Sequence, residues 1–214
     1  SALAFLANHF LWPSWEFLNI PLYLEKAIKA NQDYLKEISI FYNKKGNIST
    51  SYRLARKNAF IEIGNLMASF QRMVQEPKSK QKQLPQVYKL AVLNHSLLSS
   101  SASLGTYIQS HKTTSASEAF NVVVDTVIRN LDNAIALLKE NDLYLKENLP
   151  KEDLAIRFTE LKNIRAKELK EGIPIDEEAF QLKMQEAQLV IEQLILLTNL
   201  SENILKTTKE LMEF

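Results

Sequence analysis

The chain has 214 residues, 46% of them hydrophobic and 24% charged, with a formal net charge of +1. That balance is ordinary for a globular protein, and the whole-chain charge points to neither nucleic acid nor an anionic membrane as partner. Without cysteine there are no disulfides or thiolate metal sites, and 4 glycines and 6 prolines are too few to punctuate a β-sandwich or barrel.

The chain opens on an apolar run, Ala2 to Trp12, short of charge and helical in composition, which ends at Trp12-Pro13-Ser14-Trp15-Glu16. No run of eighteen apolar residues occurs, so no segment spans a bilayer by itself, and no basic region precedes the run as in a secretory signal. The run is too apolar for an ordinary exposed end, and the chain begins without Met. Residues 1–14 are therefore read as the end of a transmembrane or membrane-proximal helix, in a piece cut from something larger. Two tryptophans after such a helix suit a membrane–water interface. The competing reading has both rings packed on the rest of the fold.

The first full helix is predicted from Trp15 or Pro21 to Tyr42, with a stripe of Leu24, Ala27, Ile28, Asn31, Leu35, Ile38 and Phe41. Gly46 stops it. The second runs from Thr50 to Pro77, where Tyr52, Ala55, Ala59, Ile63, Leu66, Phe70 and Met73 recur every three or four residues. Ser49, Thr50 and Ser51 are N-cap candidates and Pro77 is the stop. At about 40 Å this helix needs long partners. The lysine-rich Lys78 to Gln83 reads as a solvated linker.

The third helix covers about Pro85 to His111 through Val87, Leu90, Leu93, Leu97, Leu104 and Ile108, with the small run Ser99 to Ser101 allowing close helix approach. A capping box, Ser115-Ala116-Ser117-Glu118, opens the fourth, which carries Phe120, Val124, Val127, Leu131, Ala134 and Leu138 towards Leu145. Pro150 and Gly172 bracket a strongly charged fifth helix, Lys151 to Glu171. Asp176 caps a sixth, through Leu182, Leu189, Val190, Leu194, Leu197, Ile204 and Leu211. Its tetrad Leu194 to Leu197 is apolar all round, which predicts burial on more than one side. The fold expected is all-α: a single-domain antiparallel bundle of about six long helices, with helices two, three, four and six central and helix five outside.

Chemical signatures are sparse. His9, His95 and His111 stand far apart, and neither a zinc motif, a paired Glu-x-x-His nor a phosphate loop occurs. No catalytic set, metal or cofactor is predicted, and the expectation is that the chain is not an enzyme. His95 is expected as a hydrogen-bonded bundle residue. Arg53, Arg56 and Lys57, with Lys44 and Lys45 upstream, make the densest basic spot. It reads as a contact for anionic headgroups or an acidic partner helix, or as ordinary surface charge.

Three stretches together resemble the soluble part of the FUSC family, the fusaric-acid-resistance-like and aromatic-acid-exporter-like bacterial inner-membrane proteins. They are Leu11-Trp12-Pro13-Ser14-Trp15-Glu16; Tyr52-Arg53-Leu54-Ala55-Arg56 with Ala59 and the closing Gln71-Arg72-Met73-Val74-Gln75-Glu76-Pro77; and Leu93-Asn94-His95-Ser96-Leu97-Leu98-Ser99. The motifs lie between Leu3 and His111; beyond Thr113 only helical character matches. The chain departs from the pattern at Lys57, where a second arginine is common, and at Phe60, where a small or polar residue is usual.

The resemblance implies that Trp12, Pro13, Trp15 and Glu16 follow a last transmembrane helix, with both tryptophans as interfacial anchors. It implies that residues 15–214 form a cytoplasmic domain at the bacterial inner membrane, joined to the membrane through a transmembrane part outside this sequence. Eight Lys/Arg against four Asp/Glu up to Lys57 run in the direction of the positive-inside rule. It also implies efflux of small aromatic or other organic anions, and, by analogy with plant aluminium-activated malate channels, a homodimer, with no nucleic-acid partner. Two other readings compete: a free-standing helical interaction module, and a ligand-sensing bundle or enzyme built on a buried polar cluster of Asn94, His95 and Arg56.

Overall fold

The computed structural model describes residues 15–44, 46–110, 116, 118–139, 151–171 and 177–213. Six helices carry them: α1 (Glu16–Lys44), α2 (Thr50–Gln75), α3 (Leu84–Ser110), α4 (Glu118–Leu138), α5 (Lys151–Glu171) and α6 (Glu177–Met212), with a 3-10 turn at Lys78–Lys80. No strand occurs among the described residues. The all-α bundle is as expected.

The core is a ring of four helices. α1 packs beside α3 and α4, and α6 closes the ring by packing on the same two. α2 lies against α1 and α3, and α5 against α4 and α6. The charged fifth helix is thus outside, as its composition predicts. The second helix is also outside and the first is central, which corrects the predicted arrangement. Burial shows why. α1 buries Ile20, Leu24, Ala27, Ala30, Gln32 and Tyr34 on several sides at once, whereas α2 buries one stripe and leaves Leu54, Phe60 and Ile61 exposed. A single clean stripe suits a helix with one face to bury, and a central helix needs more than one.

Helix direction follows from the pairings. Asn31 meets Asn94, and Tyr34 and Ile38 close on Gly105, so α1 and α3 run parallel with α2 as the return between them. Asn43 pairs with Asn121, Gln32 with Asp132 and Glu25 with Lys139, so α4 runs antiparallel to α1.

The helix ends follow their local chemistry. Ser49 caps α2 by accepting from the Tyr52 amide at 3.0 Å, and Gly46 takes a φ of +124° that side chains disfavour, just past the end of α1. α1 begins at Glu16 with Pro21 inside it. The capping box residues Ser115 and Ser117, the stretch to Leu145, Pro150, Gly172 and Asp176 lie outside the described residues. In α6 the predicted stripe needs correction: Leu194 and Leu197 are buried, but Leu189 is 51% and Leu196 44% exposed. Among the described residues α6 packs mainly on α3, α4 and α5, and Leu196 lies off those contacts.

Candidate functional site

The motif residues form two separate constructions, one at each end of α2. At the C-terminal end, Glu16 is the hub. Its carboxylate accepts from Arg72 Nε at 2.6 Å and Arg72 Nη2 at 3.2 Å, a two-pronged charge-assisted contact, and from Ser69 Oγ at 2.8 Å. Its backbone N–H, one of the donors that a helix start leaves without an internal partner, donates to Glu76 Oε1 at 2.6 Å. Both carboxylates thus sit at the positive end of the α1 dipole. Hydrogen bonding from Arg72 holds the Glu16 carboxyl below the usual carboxylate range, against the opposing effect of partial burial.

Neighbouring side chains tighten this joint. Gln81 donates to the carbonyls of Val74 and Glu76 at 2.7 Å each, satisfying the end of α2, while Glu76 is extended as the residue before Pro77 must be. Lys80 Nζ lies 5.2 Å from the Trp15 ring centre, and Lys82 Nζ 5.7 Å from that of Phe17. The lysine-rich linker is therefore seated on the aromatic start of α1, a contact its composition did not signal. Trp15, Glu16, Arg72, Glu76 and Pro77 converge here; Trp12 and Pro13 lie outside the described residues.

At the other end of α2, Tyr52 is 2% exposed and inserts between α1 and α3. Gln109 Nε2 donates to its hydroxyl oxygen at 2.6 Å, and the Tyr34 hydroxyl lies 3.3 Å from the same oxygen, within hydrogen-bond distance. The two rings pack edge to face at 5.5 Å. Burial, reinforced by the Tyr52 hydrogen bond, pushes the Tyr34 phenol up, so its hydroxyl stays protonated across the physiological range. Gly105 makes room for them: a Cβ there would stand 2.5 Å from the Tyr52 hydroxyl.

Midway along the bundle Asn94 is fully buried. It accepts from Asn31 Nδ2 through its backbone oxygen at 3.0 Å and its side-chain oxygen at 3.3 Å, and donates to the Leu90 carbonyl at 2.9 Å. This pair sets the register of α1 on α3. His95, one residue on, points outward and is exposed. That corrects its expected place inside the bundle, since a helix turns by about 100° per residue and Asn94 takes the inward position. Arg56 is exposed too, so the buried cluster of Asn94, His95 and Arg56 does not form.

Arg53, Arg56 and Lys57 instead edge an open groove of about 660 Å³ beside Tyr52. Ile48, Phe60 and Ile61 supply its apolar wall, and Gln109 closes it from α3. Along α1, the level of Ile38 lies roughly 30 Å from Glu16 at about 1.5 Å per residue. The basic spot therefore stands at the end of the bundle away from Trp15. No cluster of three or more His, Asp or Glu that could hold a metal occurs among the described residues.

Sequence reasoning missed Ser69, Gln109, Tyr34 and the seated lysines. Ser69 carried a signal, as a polar residue on the buried face between Leu66 and Met73. The others carried none, because their roles depend on a second helix.

Half of the chain is homologous to an inner membrane protein. It is 32% identical over 106 residues to the inner membrane protein YccS of Escherichia coli (strain K12), and 30% identical over 109 residues to a protein of Haemophilus influenzae (strain ATCC 51907 / DSM 11121 / KW20 / Rd) described as uncharacterized. Each match takes in 50% of this chain and 15% of the relative, so the chain spans a small part of these proteins. No family model and no solved structure matches. Among the described residues no helix is long and apolar enough to cross a membrane.

Proposed function

We propose that this bundle is the cytoplasmic, non-catalytic domain of a FUSC-type inner-membrane transporter, a homodimer taking part in the efflux of small organic anions. The observation that carries the reading is the joint at Glu16. A membrane segment ending just before Trp15 would enter α1 at the one point where carboxylate, guanidinium and hydroxyl groups bind α1 to the end of α2. α1 then continues through the centre of the bundle, touching α2, α3 and α4. A displacement at Trp15 would reach three helices through one rigid element. Homology of half the chain to an inner membrane protein supports the membrane side of the proposal.

Reporter fusions after Phe214, in the natural open reading frame, test it. A fluorescent-protein fusion should glow in the membrane fraction, and an alkaline phosphatase fusion should be inactive. Active phosphatase would overturn the cytoplasmic placement, and a fusion found wholly in the soluble fraction would overturn the membrane role. The efflux reading requires that loss of the gene raise cellular retention of an organic anion, and that Glu16→Ala in the intact protein reproduce part of that effect.

A further inference from the structure

The linker between α2 and α3 carries charge that the fold leaves uncompensated. From Pro77 to Ser117 there is no Asp or Glu, although the chain has 25 of them, and Lys78, Lys80, Lys82 and Lys89 open that stretch. All four lysines are exposed, and none makes an ion pair with any described residue. Surface lysines elsewhere do find acids, as Lys29 finds Asp33 and Lys139 finds Glu25. The carboxylates of the nearby joint are already engaged, Glu16 by Arg72 and Ser69, and Glu76 by the Glu16 amide.

These lysines are held in place. Gln81, between Lys80 and Lys82, is anchored inward by its two bonds to the Val74 and Glu76 carbonyls, and Gln83 turns the chain into α3 at a φ of +51°. Lys80 and Lys82 lie against the Trp15 and Phe17 rings, so cations alternate with aromatic side chains at the start of α1. Further along α1, Leu18 is 68% and Leu22 50% exposed. Fixed cations among aromatic rings and exposed leucines match a membrane–water interface, where rings sit at headgroup level and lysines meet anionic headgroups. Arg53, Arg56 and Lys57 also lack an ion pair with any described residue, but they stand at the other end of the bundle.

We propose that Lys78, Lys80 and Lys82 form a platform that docks on the anionic lipid headgroups of the bilayer surface. The inference rests on the reading in which a membrane segment enters α1 just before Trp15, since that brings this end of the bundle, and not the Arg53 end, against the bilayer. Gln81 ties the platform to the last turn of α2, so docking would fix the Glu16 joint relative to the membrane.

Vesicle co-sedimentation of the 214-residue chain tests it, with phosphatidylcholine vesicles and with vesicles that also contain phosphatidylglycerol. The anionic vesicles should bind about 10-fold more tightly or better, and about 0.5 M salt should erase the difference. Replacing three lysines together (K78Q, K80Q and K82Q) should weaken binding to the anionic vesicles by about 10-fold or more. Replacing the far cations (R53Q, R56Q and K57Q together) should change it less than about 3-fold, because they lie beyond a screening length from the docked end. The chain has no cysteine, so Ser79→Cys takes a single polarity-sensitive dye. Its emission should shift to the blue on anionic vesicles, and that of a dye on Asn58→Cys should not. All the substituted side chains are exposed, so the variants should keep the wild-type thermal melt. No preference for anionic vesicles, the result an acidic protein partner would give, overturns the lipid contact. So does unchanged binding in the lysine variant, or an equal loss in the far-end variant. A membrane-bound reporter fusion alongside any of these results overturns the lipid contact alone, whereas soluble fusions with lysine-dependent vesicle binding overturn the transporter reading alone.

Discussion

Replacing Gly105 by alanine tests the packing that locks Tyr52. In an exposed helix interior Gly→Ala stabilises by about 1 kcal/mol, because alanine has less backbone freedom to lose. Here the new Cβ would stand 2.5 Å from the Tyr52 hydroxyl, 3.3 Å from the Tyr34 hydroxyl and 3.4 Å from Ile38 Cδ1. The first distance is far inside contact, and the tyrosine cannot swing aside, since its ring packs on Tyr34 at 5.5 Å and on Phe41 at 5.9 Å. Overpacking of this kind costs about 1–3 kcal/mol, so Gly105→Ala should be destabilising by about 1–2 kcal/mol net. Tyr52→Phe alone should cost about 1–2 kcal/mol through the hydrogen bonds with Gln109 and Tyr34. It also removes the atom that the alanine meets first. The double variant should therefore be less destabilised than the sum of the singles by about 1 kcal/mol or more. Urea denaturation followed by helical circular dichroism measures all four corners of the cycle. A stabilised Gly105→Ala, or strictly additive singles, would show that α1, α2 and α3 do not meet as described.

Three further outcomes are expected. Glu16→Gln keeps the shape of the joint but loses its charge, and should cost about 1 kcal/mol at pH 7, a modest figure because Arg72 is 47% exposed and solvent screens the pair. Since the folded Glu16 carboxyl lies below its unfolded value of about 4.3, its contribution is present above that pH and is lost as pH falls through the lowered folded value. Urea midpoints of wild type should thus fall more steeply than those of Glu16→Gln between about pH 5 and pH 3, and parallel acid limbs would rule the contact out. Asn31→Ala should cost about 1–2 kcal/mol and couple to Asn94→Ala, because the Asn94 side-chain oxygen is buried with Asn31 as its donor; independent effects in denaturant melts would contradict the pairing. His95→Ala should change stability by less than about 0.5 kcal/mol, as for other surface substitutions; a loss above 1 kcal/mol would return His95 to the interior.

Much of the fold was legible because helix formation here is a local matter. The stripes on α2 and α4 are read off spacing alone, and Tyr52, Ala59, Ile63, Leu66, Phe120, Val124 and Leu131 are buried as the spacing requires. The Ser49 cap, the Gly46 stop and the Pro77 break each act within a few residues, so they too could be placed in advance. Misplacements came where burial depends on how many neighbours a helix has. The stripe of α2 suggested a central place, but a stripe shows that one face is buried and not how many neighbours the helix has. In α1 the buried residues include Asn31, Gln32 and Tyr34, and those are the side chains that cross-link it to α3, α4 and α2.

The candidate site divides in the same way. From the motifs alone Glu16, Arg72 and Glu76 could be singled out, but 56 residues separate Glu16 from Arg72, and neither periodicity nor composition says that they touch. Nor could spacing tell that Asn94 faces in while His95 faces out, since that depends on where α1 lies against α3. The sequence by itself determined that the chain is helical, where most helices start and stop, and that it has no thiol chemistry. These follow from short-range sterics, capping and residue inventory. Only the tertiary structure decided which helix runs through the centre, that the two ends of the motif close into one joint, and that three unpaired cations flank an apolar groove. Those facts arise from long-range packing, in which each residue's role is set by a partner many turns away.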